Sequence, residues 1–338
     1  MSQRPAPLSF LMPGWFSIVL GLTGLALAWI SAAPMLGDTA LGLGLVFGLL
    51  GAGVFGVLLV ASGWRLKRHP QAVADDLKHP VRFAFIAAIP TSMLLLATWL
   101  VSLGFQQTPV HVLWWAGSLL QWWAVLWVLG EWLKPMGSGP LSGSGAFWPK
   151  ITPILFVPIV GNVLAPLAGG PLGYGAWAAA QFGVGVFFWP VLLTLVFVRR
   201  FTLGPLPERI WPAWLITLAP PSVIGVAMVQ WGAPSQVTWA LWGVGLFHLL
   251  WVGSTLGARI SQLPFSIAFW GLSFPLTAFT TLTLKLVGPL ATGWAHNLGM
   301  LMLAITSLVI FGLSMATVRG LRQGTLLAPE PIATLVPA

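Results

Sequence analysis

The sequence predicts an all-α integral membrane protein, on three observations. Of 338 residues, 57% are hydrophobic and only 6% are charged, against roughly 25% charged in a soluble domain. The mean hydropathy is +0.92. The apolar runs are continuous over about 20 residues, the length of a membrane-crossing helix. They lack the alternation of the roughly ten-residue strands of a membrane barrel. So little charge cannot cover a water-facing surface, which excludes a soluble enzyme and a nucleic-acid-binding protein. With no cysteine in the chain, disulfides, iron–sulfur clusters, thiolate metal sites and cysteine nucleophiles are excluded too. The 21 tryptophans suit a membrane interface, where an apolar ring keeps its N–H wet.

Ten spans are predicted. The first, 12–32, follows Arg4 and precedes Ser31-Ala32-Ala33 like a signal peptide. It exceeds the 7–15-residue apolar core of such a signal and is kept as a span. The second, 41–63, is featureless. The third, 82–103, carries Pro90, Thr91 and Ser92. The fourth, 110–132, holds Trp114, Trp115, Trp122, Trp123 and Trp127 and reads as apolar all round. The fifth, 151–168, has Pro153, Pro158 and Pro166 with Gly161 and Asn162. The sixth, 176–198, contains Pro190; the seventh, 210–230, contains Pro220, Pro221, Ser222 and Gly225. The eighth, 237–258, encloses His248, which reads as a hydrogen-bonded packing residue. The ninth, 265–287, contains Ser273, Phe274, Pro275, Thr277 and, near its end, Lys285. The tenth, 295–318, completes the set, and short turns pair the spans as five hairpins.

Charge placement orients them. Arg4, Arg65, Lys67, Arg68, Lys78, Arg82, Lys134, Lys150, Arg199, Arg200, Arg209, Arg259, Arg319 and Arg322 all fall at the termini or beside turns after even spans. Turns after odd spans hold Asp38 and no base. Both termini are therefore expected in the cytoplasm. The expected organisation is a tail over 1–11, one ten-helix transmembrane domain over 12–318 and a tail over 319–338. The connection 64–81 is charged, and that over 131–150 is Gly/Ser/Pro-rich and reads as a flexible loop.

Mid-helix proline marks a kink, and nearly every one falls in an odd span. Irregular backbone at membrane depth is tolerated where it lines a cavity or packs on protein. The odd spans are accordingly expected to form an inner ring around a central pore, with the even spans facing lipid. No carboxylate is predicted mid-span, whereas proton- or sodium-coupled carriers and cation pores usually place one there. That leaves an uncoupled neutral or anion path. Freed carbonyls at kinks attract cations, while the donors Thr91, Ser92, Asn162, Ser222 and Thr277 suit a weakly held anion, so the sign stays open on these grounds. The sequence offers no His/Glu metal cluster, Ser/His/Asp set or phosphate-binding loop, and neither an enzyme nor a cofactor or metal site is expected.

Several stretches carry a resemblance: His79-Pro80-Val81-Arg82-Phe83, Pro158-Ile-Val-Gly161-Asn162, Leu218-Ala-Pro220-Pro221-Ser222 and Phe274-Pro275-Leu. In order and spacing the chain resembles the tellurite-resistance/dicarboxylate transporter family, TehA-like, with relatives among plant slow anion channels and fungal malate and sulfite transporters. The resemblance implies a gated anion channel of five quasi-repeated hairpins in the cell's inner (plasma) membrane. It implies a homotrimer with a pore in each protomer, passing small inorganic or organic anions. The gate then maps to Phe274, which is otherwise one of 20 phenylalanines and reads as packing. Pro90, Thr91, Ser92, Pro158, Asn162, Pro220, Pro221, Ser222, Pro275 and Thr277 are the expected pore-lining residues. The alternative is a coupled secondary carrier of C4-dicarboxylate, sulfite or tellurite-type anions.

Overall fold

The computed structural model describes residues 7–133, 148–290 and 293–328, the side chains of Glu131, Pro149 and Val160 excepted. Arg4, the Gly/Ser/Pro-rich loop from Lys134, Glu330 and the outer parts of both tails lie outside the described residues. Among those residues every element of regular structure is helical. Nine helices there are long and apolar enough to cross a membrane: α1 (Pro13–Ser31), α2 (Asp38–Arg68), α3 (Arg82–Ser102), α4 (Thr108–Gly130), α6 (Gly175–Leu203), α7 (Glu208–Gln230), α8 (Ser235–Ile260), α9 (Ile267–Val287) and α10 (Gly293–Arg322). The fifth predicted span, α5 (Pro153–Gly169), is shorter. It is built of a 3₁₀ turn, a helix over Phe156–Val163 and another over Ala165–Gly169. The cause is local: Pro166 has no N–H and can follow a break only in the opening turn of the next piece.

The odd helices share a backbone device that proline position explains. Each opens with a 3₁₀ stretch: Pro13–Phe16, Arg82–Ala87, Pro153–Leu155, Glu208–Leu218 and Ile267–Leu272. None of α2, α4, α6, α8 and α10 begins this way. Pro90, Pro158, Pro221 and Pro275 are each the third residue of the α portion that follows, in helices starting at Ala88, Phe156, Ala219 and Ser273. A proline there removes the bond to the carbonyl four residues back, and its ring crowds that carbonyl. In these four helices the backbone just upstream takes the tighter 3₁₀ bonding instead, whereas Pro190 lies within the unbroken helix α6. These prolines therefore mark the junction between two helix types rather than a bend within one.

Burial divides the same two sets. Between 67% and 89% of the most apolar stretch of α1, α3, α7 and α9 is buried, against 17% to 39% in α2, α4, α6, α8 and α10. The latter turn Leu49, Val57, Val60, Leu126, Phe187, Phe247, Leu308 and Phe311 outward. Helix α1 packs on α3 and α9, α5 packs on α3 and α7, and α7 packs on α9. Each odd helix also packs along the even helix that follows it.

Glycine allows the close approaches. A Cβ on Gly21 or Gly24 of α1 would overlap the Ser273 or Thr277 side chain of α9. A Cβ on Gly48 of α2 would fall inside the Trp99 indole, whose Nε1 donates to the Gly44 carbonyl at 3.1 Å.

The 64–81 connection is more ordered than a charged loop. Helix α2 continues through Arg68, and a short helix spans Pro70–Lys78. Asp76 sits between two guanidiniums, with Arg65 Nη1 at 2.8 Å and Arg82 Nη1 at 3.1 Å. Arg65 also donates to the Ser9 and Ala72 carbonyls at 2.9 and 3.2 Å. Both Arg65 and Asp76 are only 4% exposed, so each charge relies on the other.

Two outcomes follow for thermal unfolding in detergent, read by tryptophan fluorescence. Gly48→Ala should lose about 1–3 kcal/mol by overpacking a rigid indole, while Gly53→Ala, with open space at its Cβ, should not lower the midpoint and should gain up to ~1 kcal/mol. Asp76→Asn should lose about 3–5 kcal/mol, because it strands a buried guanidinium.

Candidate functional site

At the level of the 3₁₀-to-α junctions lies a cavity of about 30 Å³, room for one or two water molecules. Its wall draws on every odd helix: Ser17 and Leu20 from α1, Phe85 and Thr91 from α3, Val157 from α5, Ile216 and Ala219 from α7, and Trp270, Gly271, Phe274 and Pro275 from α9. None of its described wall residues comes from an even helix, and none is charged. Phe274 is 8% exposed and is the second residue of its α portion, held in place by the junction before it and by Pro275 after it.

Of the residues expected from sequence, Phe274, Thr91 and Pro275 meet on this wall. Pro90, Ser92, Pro158, Asn162, Pro220, Pro221, Ser222 and Thr277 are not among its wall residues. Ser92 Oγ donates to the Ala88 carbonyl, and Ser222 Oγ to the Leu218 carbonyl, each at 2.7 Å. Thr277 Oγ1 donates to the Phe274 carbonyl at 2.8 Å. These hydroxyl protons are thus held by the backbone one turn earlier, and the hydroxyls are not donors waiting for an anion. The Trp270 indole is committed too, donating to Thr317 Oγ1 at 2.8 Å. The wall is therefore hydrocarbon, aromatic ring and a pair of hydroxyls, Ser17 and Thr91.

Asn162 and Pro158 belong to a buried polar network whose other members sequence reading missed. Gln121 of α4, fully buried, donates through Nε2 to the Pro158 carbonyl and lies 3.1 Å from Thr91 Oγ1 through Oε1. Asn162 Nδ2 donates to the same carbonyl at 2.9 Å. Gln181 of α6 donates to Asn162 Oδ1 at 3.3 Å, and Ser118 Oγ donates to Gln181 Oε1 at 2.7 Å. Trp177 Nε1 completes the chain on Ser118 Oγ at 2.8 Å. Helix α4 is therefore not apolar all round: Ser118 and Gln121 form a polar inner edge among its tryptophans. The available signal was an amide in each of two otherwise apolar spans, since a polar group at membrane depth needs a partner.

Other candidates find plain roles. His248 Nδ1 lies 2.8 Å from the Val244 carbonyl on its own helix. His111 pairs through Nδ1 with the Tyr174 hydroxyl at 2.7 Å. Lys285 is exposed and does not reach the cavity. No group of three or more potential metal-ligating side chains occurs among the described residues.

Outward-facing apolar helices around a small, uncharged cavity define a multi-pass membrane protein. The chain belongs to the SLAC1 family, described as voltage-dependent anion channel, whose model matches residues 11–318. It is 28% identical to an uncharacterized transporter of Methanocaldococcus jannaschii over 79% of this chain and 81% of that one. It is 27% identical to a tellurite resistance protein TehA homolog of Haemophilus influenzae, over 81% and 80% of the two chains. With the guard cell S-type anion channel SLAC1 of Arabidopsis thaliana it shares 24% over 80% of its own length, but spans only 49% of that protein.

The network makes its own prediction. Gln181→Leu leaves Ser118 and Asn162 short of partners and should cost about 1–3 kcal/mol of stability, read as a lower unfolding midpoint.

Proposed function

We propose that this protein conducts small inorganic or organic anions passively through a path framed by α1, α3, α5, α7 and α9, with Phe274 as the barrier. In this reading the ten segments are five repeated hairpins, the odd helices an inner ring and the even helices its lipid-facing wall. One observation carries it: a single cavity takes wall residues from all five odd helices, with Phe274 and Pro275 among them. The cyclic packing of those helices and their deeper burial support the same arrangement. Membership of an anion-channel family supports the sign of the ion. A narrow apolar constriction excludes ions by dewetting, and in this reading a cavity of about 30 Å³ corresponds to a closed path.

Passive conduction is preferred to coupling because the described residues of the cavity wall include no Asp or Glu to carry a proton. The coupled carrier of C4-dicarboxylate, sulfite or tellurite-type anions stands as the second reading. It draws on the relatives described as a transporter and as a tellurite resistance protein. We further propose N- and C-termini in the cytoplasm, residence in the plasma membrane, and a homotrimer with one pore per protomer.

Planar-bilayer recording of the purified protein in chloride, nitrate and malate tests the reading. Phe274→Ala should raise anion conductance at least roughly tenfold, the equivalent of removing about 1.4 kcal/mol of barrier. An unchanged current from a folded Phe274→Ala protein removes Phe274 as the barrier. Anion flux in proteoliposomes that strictly requires a proton gradient replaces the channel with the carrier.

A further inference from the structure

We propose that Gln121, on a helix outside the cavity wall, is the positioning residue that sets the width of the constriction between α3 and α5. This rests on the pore reading above. Gln121 bonds to two pore segments at the level of the cavity. Its Oε1 meets Thr91 of α3, itself a wall residue, and its Nε2 meets the carbonyl of Pro158, next in chain to the wall residue Val157 of α5.

The amide can point only one way. The Pro158 carbonyl is purely an acceptor, so the NH₂ group must face it; the reverse placement sets two acceptor oxygens against each other. The amide oxygen is thereby turned to Thr91, whose hydroxyl also lies 2.7 Å from the Ala87 carbonyl and shares its one proton between two acceptors. Gly161 makes room for the strut, since a Cβ there would overlap the Gln121 carboxamide. In so apolar a surrounding both bonds are electrostatically stronger than they would be in water. Gln121 thus spans α3 and α5 from behind at a fixed distance, while touching nothing that passes through.

The test uses the Phe274→Ala protein, in which current flows, and reads the malate-to-chloride permeability ratio. Adding Gln121→Leu should raise that ratio about fivefold, equivalent to ~1 kcal/mol, because the wall no longer resists a wider ion. Gln121→Glu separates positioning from mere packing. Its neutral carboxyl can accept from Thr91 and donate to Pro158; its ionised form has no proton to donate. Over a range kept above about pH 6, where malate is fully ionised, the ratio with that substitution should start near the Phe274→Ala value and climb as pH rises, while Phe274→Ala alone stays flat. An unchanged ratio with Gln121→Leu, or a flat pH profile with Gln121→Glu, overturns the proposal. If Gln121→Leu does not fold, Gly161→Ala displaces the same strut with one methyl group and carries the same expectation. A silent Phe274→Ala protein overturns the pore reading alone. The strut is then judged by a structure of the Gln121→Leu protein, in which a cavity still near 30 Å³ overturns it.

Discussion

A proline cannot donate a backbone hydrogen bond, and inside a membrane no water replaces the one it withholds. That constraint organises the molecule. In α3, α5, α7 and α9 it acts at one position, the third residue of the α portion, and the chain answers with 3₁₀ bonding upstream. The junctions gather at one level, and the cavity is found there with Phe274 on its wall. Helix α1 reaches a similar geometry from a proline at the first residue of its 3₁₀ turn.

Around these irregular segments the regular helices do two jobs. Their outer faces carry the large apolar side chains that lipid requires, and their inner faces supply what the broken helices lack. Gln121 and Gln181 reach inward from α4 and α6 to carbonyls and amides of α5, the most interrupted segment. Trp99 of α3 lies flush on the glycines of α2. Close approach at glycine and hydrogen bonding through buried amides replace the hydrophobic drive that is missing between helices in lipid.

Much of this was legible in the sequence, for identifiable reasons. Composition and run length specify a membrane bundle because the bilayer penalises charge and rewards length directly. The contrast between odd and even spans was visible because proline is visible. The 3₁₀ stretches were not, since a missing N–H shows that one bond is lost and not which bonding replaces it. Nor was the inner edge of α4, where Gln121 is a single letter in a tryptophan-rich run and its partners Thr91 and Pro158 lie 30 and 37 residues away. The pairing of His111 with Tyr174, 63 residues apart, was hidden by the same long separation.

The bare cavity wall has a consequence for how voltage acts on such a molecule. An electric field does work only on charge that moves through it, about 2.3 kcal/mol per elementary charge across 100 mV. Arg65, Arg68, Arg82, Arg199, Arg209, Arg259 and Arg319 sit toward the ends of their helices, where little of the potential drop is felt. If the constriction opens as proposed, by the turning of a phenylalanine, no charge moves through the field. On the proposed reading the membrane potential then has little lever on the described part of the protein, and its work is done on the ion in transit.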